Sequence, residues 1–192
     1  MPTLTLTGEP DADALLSENG FALLVGMLLD QQIAMEVAFV GPHRLAERLD
    51  GRLDPATVAA TSPEELEELF RQKPALHRYP GSMAKRVHAL ATELVASYDG
   101  RAEALWEDVE DGRALLRRLK GLPGFGDQKA RIFVALLGKQ CGVRPDGWQE
   151  AAGAYGDEGY RSIADVTDPE TLERVRATKR EAKAAKRAAG GS

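Results

Sequence analysis

Apolar positions recur at helical spacing along nearly the whole chain; only Leu4 and Leu6 alternate as strand residues do. Residues 11–17 predict a short helix. Residues 20–29 are apolar on every side, which predicts a helix buried in the core. A further helical run covers about 34–49, and Gly41-Pro42 is expected to kink or break it. Asp54-Pro55 starts the next helix, with Asp as N-cap and Pro in the first helical position. Ser62-Pro63-Glu64-Glu65 reads as a capping box, opening a helix that carries Leu66, Leu69 and Phe70. After a loop at 72–80, a helix from about 82 to 98 sets Val87, Leu90, Ala91 and Leu94 on one face and stops at Gly100. The runs 111–120 and 127 to about 138 carry the stripes Leu115, Leu116, Leu119 and Ala130, Phe133, Val134, Leu137. A loop at 141–148 leads to a short helix at 148–155. Asp168-Pro169-Glu170 caps a last helix that runs into a basic tail, and residues 190–192 are expected to fray. The fold class is therefore all-α.

Between the two striped helices stands Leu122-Pro123-Gly124-Phe125-Gly126, and the segment reads as a helix-hairpin-helix over about 113–138. Two glycines permit backbone dihedrals closed to other residues and a close approach to a ligand. The second helix starts at once, so its free amides point at the hairpin and make an anion site. Lys129 and Arg131 stand in its first turns. Such a hairpin grips a nucleic-acid backbone without reading sequence.

Composition changes this picture in one respect. The 192 residues carry a net charge of −5, which by itself argues against a nucleic-acid partner. The charge is segregated, however. Residues 1–70 hold 13 acids and 3 bases, whereas residues 113–144 hold one acid, Asp127, and 8 bases. The tail after Glu173 is basic again. A single cysteine, Cys141, makes no disulfide within the chain and suits a reducing cytoplasm. It also leaves no four-cysteine iron–sulfur set, and the three histidines show no zinc spacing. The start of the chain lacks a basic region and a long apolar run, so no secretory signal is expected. The longest apolar stretch, 21–29, is too short to span a bilayer.

The hairpin string resembles that of the HhH-GPD superfamily of base-excision DNA glycosylases. The loop Gly142-Val143-Arg144-Pro145-Asp146-Gly147-Trp148 is similar to the loop that carries the family's aspartate. The apolar segment ending in Asp30-Gln31-Gln32-Ile33 resembles the family's helix with a Gln-Gln pair, closest in look to the 3-methyladenine glycosylase II branch. The likeness covers about residues 21–155. It implies two helical lobes with a cleft between them, the chain crossing back so that N-terminal helices pack with C-terminal ones. The glycosylase domain then occupies residues 1–165, followed by a C-terminal helix and basic tail at 166–192.

The resemblance also assigns roles. The partner is double-stranded DNA, bound by a monomer, and a damaged nucleotide is flipped into the cleft. Asp146 stabilises the positive charge that builds on the sugar, its alternative role being to cap the short helix that follows. Leu122, Gly124, Phe125, Gly126, Gln128, Lys129 and Arg131 form the DNA-binding hairpin. Gln31, Gln32 and Trp148 line the lesion pocket or wedge into the gap; core packing is the other reading for Trp148 and Phe125. Bifunctional members attack the sugar with a lysine two residues after the second hairpin glycine. Gln128 stands there, and Lys129, about 100° further around the helix, is expected to face elsewhere. The expectation is therefore a monofunctional enzyme, without cofactor or cluster, acting on an alkylated purine. A non-catalytic DNA-binding scaffold and a protein-interaction module built on the acidic N-terminal half remain as alternatives. Asp30 places a negative charge beside the glutamines.

Overall fold

The computed structural model describes residues 3–191, so Met1, Pro2 and the last of the residues expected to fray, Ser192, lie outside the described residues. The fold is built around one helix, α2 (Gly20–Leu29), whose ten residues are all buried. Asn19 caps it by accepting the Ala22 amide at 3.0 Å. α3 (Met35–Arg48) lies against α2 at van der Waals distance because two glycines make room. A Cβ on Gly26 would sit 2.6 Å from the Phe39 ring, and one on Gly41 would sit 2.7 Å from Leu29 Cδ1. The break expected at Gly41-Pro42 does not occur: α3 is continuous through Pro42. The proline costs about 3 kcal/mol in a helix interior. Burying Phe39 and Leu45, at roughly 1.5–3 kcal/mol each, offsets that.

α1 (Pro10–Glu18) packs against α2 and α3. The segment holding Leu4 and Leu6, whose alternation is strand-like, forms no strand; it bends at Leu6 and pairs with side chains instead. Leu4 donates its amide to Ser17 Oγ (2.9 Å), and Leu6 and Thr7 donate theirs to Asp13 Oδ1 (3.0 and 2.9 Å). This explains why Asp13 and Ser17 are buried polar residues.

The first lobe stacks α4 (Pro55–Ala60) and α5 (Pro63–Arg71) on α6 (Pro80–Tyr98). Asp54 and Ser62 cap α4 and α5 through the Thr57 and Glu65 amides (2.8 and 3.2 Å). The reciprocal Glu65 contact of a full capping box is absent among the described residues. The second lobe holds α7 (Gly112–Lys120), α8 (Asp127–Gln140), α9 (Trp148–Ala152), short 3-10 turns at Gly153–Gly156 and Ile163–Asp165, and α10 (Pro169–Ala189). α2 touches α3, α6 and α8, so the two lobes share it. N-terminal and C-terminal helices pack together, as expected: Glu36 of α3 pairs with Arg176 of α10. Among the described residues there is no strand.

The α2–α3 contact yields a stability prediction. Gly26→Ala should destabilise the protein by about 1–3 kcal/mol, because the new methyl overlaps a fully buried ring. Alanine's better helix propensity returns at most about 1 kcal/mol. A urea midpoint equal to or above that of the parent protein would contradict this packing.

Candidate active site and nucleic-acid interface

The hairpin between α7 and α8 is held from inside. Leu122 and Phe125 are buried, and Phe125 meets Phe133 edge to face at 6.1 Å. Their side chains therefore lock the hairpin to the core, and Phe125 is not free to stack on a base. The turn closes when the Phe125 amide donates to the Leu122 carbonyl (3.1 Å). Gly124 has φ +81°, and a Cβ there would lie 2.3 Å from Leu28 of α2. Only glycine satisfies both demands. Gly126 caps α8 with no side-chain partner. Among the described residues, the amides of Gly124, Gly126, Asp127, Gln128 and Lys129 have no acceptor, and the Ala130 amide is the first of α8 to find one, the Gly126 carbonyl (3.0 Å). Free amides of this kind are what an anion site at a helix start requires.

The cations beside the hairpin are arranged differently from the sequence reading. The Asp127 carboxylate takes Arg131 (2.7 Å) and Lys120 (3.0 Å), which hold its pKa below the usual carboxylate range. Arg131 also donates to the Ala151 carbonyl (2.8 Å) and so braces α9 against α8. Lys129 does not reach the hairpin surface. Its ammonium donates to the Met27 and Leu28 carbonyls (2.7 and 2.8 Å) at the C-terminal end of α2. Burial lowers its pKa to about 8, against the opposing pull of Asp30.

Lys129 stands in the wall of a cleft of about 720 Å³ between α2, α8 and α10. Gln128 lines the same cleft, so the expectation that Lys129 faces elsewhere is corrected. The cleft is wide enough to take two adjacent side chains. Gln128 turns to the Tyr155 hydroxyl (2.9 Å) and Lys129 to α2. Gln31 and Gln32 also line it. The Gln31 side chain is fixed: its Nε2 donates to the Leu28 carbonyl (3.1 Å) and its Oε1 accepts from Arg86 (3.2 Å). The Gln31 backbone carbonyl accepts from His77 Nε2 (2.9 Å), while His77 Nδ1 accepts the Tyr79 amide (3.0 Å). Burial keeps His77 below the usual histidine range, in line with a neutral ring that holds this turn. Gln32 is exposed and adopts a left-handed φ of +58°.

The carboxylate in the cleft is Asp30. Its side chain is largely buried, with Lys179 Nζ 3.9 Å from Oδ2. Burial raises its pKa, and Lys179 and Lys129 oppose the rise. Around it stand Lys129, Lys179, Lys183, Lys186 and Arg161, five cations to one acid. The C-terminal helix set apart in the sequence thus forms one wall of the cleft. Sequence reasoning missed Tyr155 and Arg161, for which no local signal exists. It also missed the stripe Lys179, Lys183, Lys186 as a site, although its spacing of four and three residues puts these side chains on one helix face.

Asp146 and Trp148 do not join this cleft. Trp148 packs on Gly138, where a Cβ would lie 2.3 Å from its ring; that is about 13 Å along α8 from Lys129. The Asp146 backbone carbonyl accepts the Gly112 amide (2.8 Å) at the start of α7, and its exposed side chain points to no partner among the described residues. Gly147, not Asp146, is the N-cap of α9, so the capping role is corrected as well. Gly138 is the physical reason: it opens a slot for the indole, which draws the loop to the far end of α8. Among the described residues no group of three side chains is placed to hold a metal ion, and the lone Cys141 does not fit a four-thiolate cluster.

A family model for the HhH-GPD superfamily of base excision DNA repair proteins matches residues 25–190. No curated protein and no solved structure matches the chain significantly. The matched span includes α10 and the residues that line the cleft, and the chain belongs to the HhH-GPD superfamily of base excision DNA repair proteins.

Proposed function

We propose that the chain is a monofunctional DNA glycosylase that hydrolyses the N-glycosidic bond of a damaged base, with Asp30 as the working carboxylate. Membership of the family supports a glycosylase-type activity on DNA. One observation supports the finer reading: a largely buried carboxylate lining a cation-rich cleft beside the hairpin. The phosphates lie along the α8 amides and the α10 lysines, and the flipped nucleotide enters between them. As the bond to the base breaks, positive charge builds on the sugar, and the Asp30 carboxylate stabilises it where it develops. Water then adds to the sugar carbon. The Lys129 ammonium is engaged with two carbonyls, which keeps it from attacking the sugar.

Duplexes carrying alkylated adenine, hypoxanthine, uracil or an 8-oxoguanine mispair, each treated with and without hot alkali, test this directly. Strand cleavage only after alkali is expected. On the substrate so identified, Asp30→Asn should slow single-turnover excision by about 10²–10³ while leaving duplex binding intact. Asp146→Asn should excise at the parent rate. The reverse pattern would return the catalytic role to Asp146.

The lowered pKa of Lys129 favours a second reading, a lyase step through its neutral amine. In that case cleavage occurs without alkali, and borohydride traps the protein on DNA. The trapped yield would rise with pH through about 8, since the amine loses its proton there. Lys129→Met would abolish it. No trapping at pH 9 would dismiss the lyase.

DNA affinity should depend steeply on salt. Lys183→Ala and Lys186→Ala should each weaken binding equally on all sequences and reduce the log–log salt slope by about 0.9. An unchanged slope would place the DNA elsewhere.

A further inference from the structure

We propose that Arg161 holds the phosphate of the nucleotide that enters the cleft, and that the buried ion pair between Lys139 and Asp165 is the device that positions it. The inference rests on the reading of the cleft as the seat of an extrahelical nucleotide. It adds a phosphate ligand that neither the hairpin nor α10 supplies.

Residues 153–168 contain only two short 3-10 turns, too little regular structure to fix their own path. Two consecutive side chains in the last turn of α8 fix it instead. Lys139 Nζ donates to Asp165 Oδ1 and to the Asp157 carbonyl, both at 2.6 Å. The other Asp165 oxygen accepts the amides of Arg161 (2.7 Å) and Ser162 (3.1 Å). Gln140 Nε2 donates to the Ala164 and Val166 carbonyls (2.8 and 3.0 Å). The Lys139 and Asp165 side chains are 18% and 5% exposed, so each charge has lost most of its water. An ion pair in that setting adds little net stability, because desolvation offsets most of the attraction. What it adds is direction: a carboxylate held by one ammonium and two amides leaves the backbone at Arg161 one path.

Arg161 is where that path reaches the cleft. Its side chain lines the cleft, is exposed, and has no partner among the described residues. The other cations there are placed differently. Lys129 is engaged with two carbonyls, and Lys179 stands 3.9 Å from Asp30. Lys183 and Lys186 lie in the half of α10 that is exposed throughout, on a helix whose one buried residue among those described is Val175. A guanidinium also differs in kind. Its planar fork donates two parallel hydrogen bonds to a phosphate, where an ammonium offers a point charge. A fork on a backbone tied to a buried carboxylate sets the place of one phosphate, and the lysines raise the field around it.

Binding of the full chain to two duplexes tests this, one intact and one holding a tetrahydrofuran abasic analogue, which enters the cleft with no bond to break. Arg161→Ala should weaken binding of the analogue duplex about tenfold and lower its log–log salt slope by about 0.9. The intact duplex should stay within twofold. Lys139→Met combined with Asp165→Asn removes both charges, so neither is left buried alone, and asparagine keeps an oxygen for the two amides. This paired variant should show the same two losses, and adding Arg161→Ala to it should cause no further loss. Each protein is measured below its own unfolding midpoint, where a purely structural role moves neither affinity nor slope. Parent affinity and slope in Arg161→Ala would overturn the inference. Losses in Arg161→Ala that the paired variant does not share would overturn the positioning role of Lys139 and Asp165. Equal affinity of the parent protein for the two duplexes would overturn the extrahelical-nucleotide reading and this inference with it.

Discussion

The contact between the Lys129 ammonium and the last carbonyls of α2 sets the rest of the site in place. It joins residues about a hundred positions apart in the chain, and it does so where α8 has just left the hairpin. A cation at a helix C-terminus meets both orphan carbonyls and the negative end of the macrodipole. Yet burial wins over these attractions, because the folded-state pKa lies near 8, below the ordinary lysine value of 10.5. The sign follows: the unfolded chain binds the proton more tightly, so this group's contribution to stability improves as pH rises from about 8 toward 10.5. At neutral pH the buried charge opposes folding. Perturbed groups of this kind cluster at functional sites.

Electrostatic organisation makes the site legible at a larger scale. A net charge of −5 describes a chain whose acids concentrate in the first seventy residues. Folding brings α10 back across the end of α2, so that its lysines face a cleft with a single carboxylate. Field lines from such a cleft are focused by its low-dielectric walls. A polyanion is thus drawn to one concave face of an acidic protein. Sum and distribution give opposite answers about the partner, and distribution decides.

Local features were readable in the sequence, and features set by long-range packing were not. Asp54, Ser62 and Asp168 cap helices where the sequence places them, since a cap needs only its next three residues. The hairpin was legible for the same reason: its turn, glycines and flanking stripes are contiguous. The similarity of the loop 142–148 to the family's aspartate loop points to Asp146. A likeness of loop sequence says nothing about the indole slot at Gly138, which holds the loop away from the cleft. Lys129 was placed by helical rotation, a sound rule for one helix. A cleft with walls on both sides of α8 receives side chains from either side of that rotation. Pro42 was expected to break α3 because the rule for proline carries no knowledge of the surface that the helix buries.

The turn after α2 shows how these pieces combine. Left-handed backbone costs a residue with a side chain roughly 1–2 kcal/mol, and Gln32 lacks the short polar side chain that eases it in asparagine or aspartate. The strain persists because the preceding residue is fixed from several directions. Gln31 is held by the Leu28 carbonyl, by Arg86 and by His77, while Asp30 faces Lys129 and Lys179. All of those partners but His77, which is buried in the loop before α6, lie on helices. A side chain on so constrained a turn is poorly suited to plunge into a duplex and withdraw. The backbone of the turn is held in one place, while the exposed Gln32 side chain stands at the mouth of the cleft without a partner among the described residues. Strain at Gln32 and burial of charge at Lys129 are thus two costs of the same rigid turn, and the cleft they define is its product.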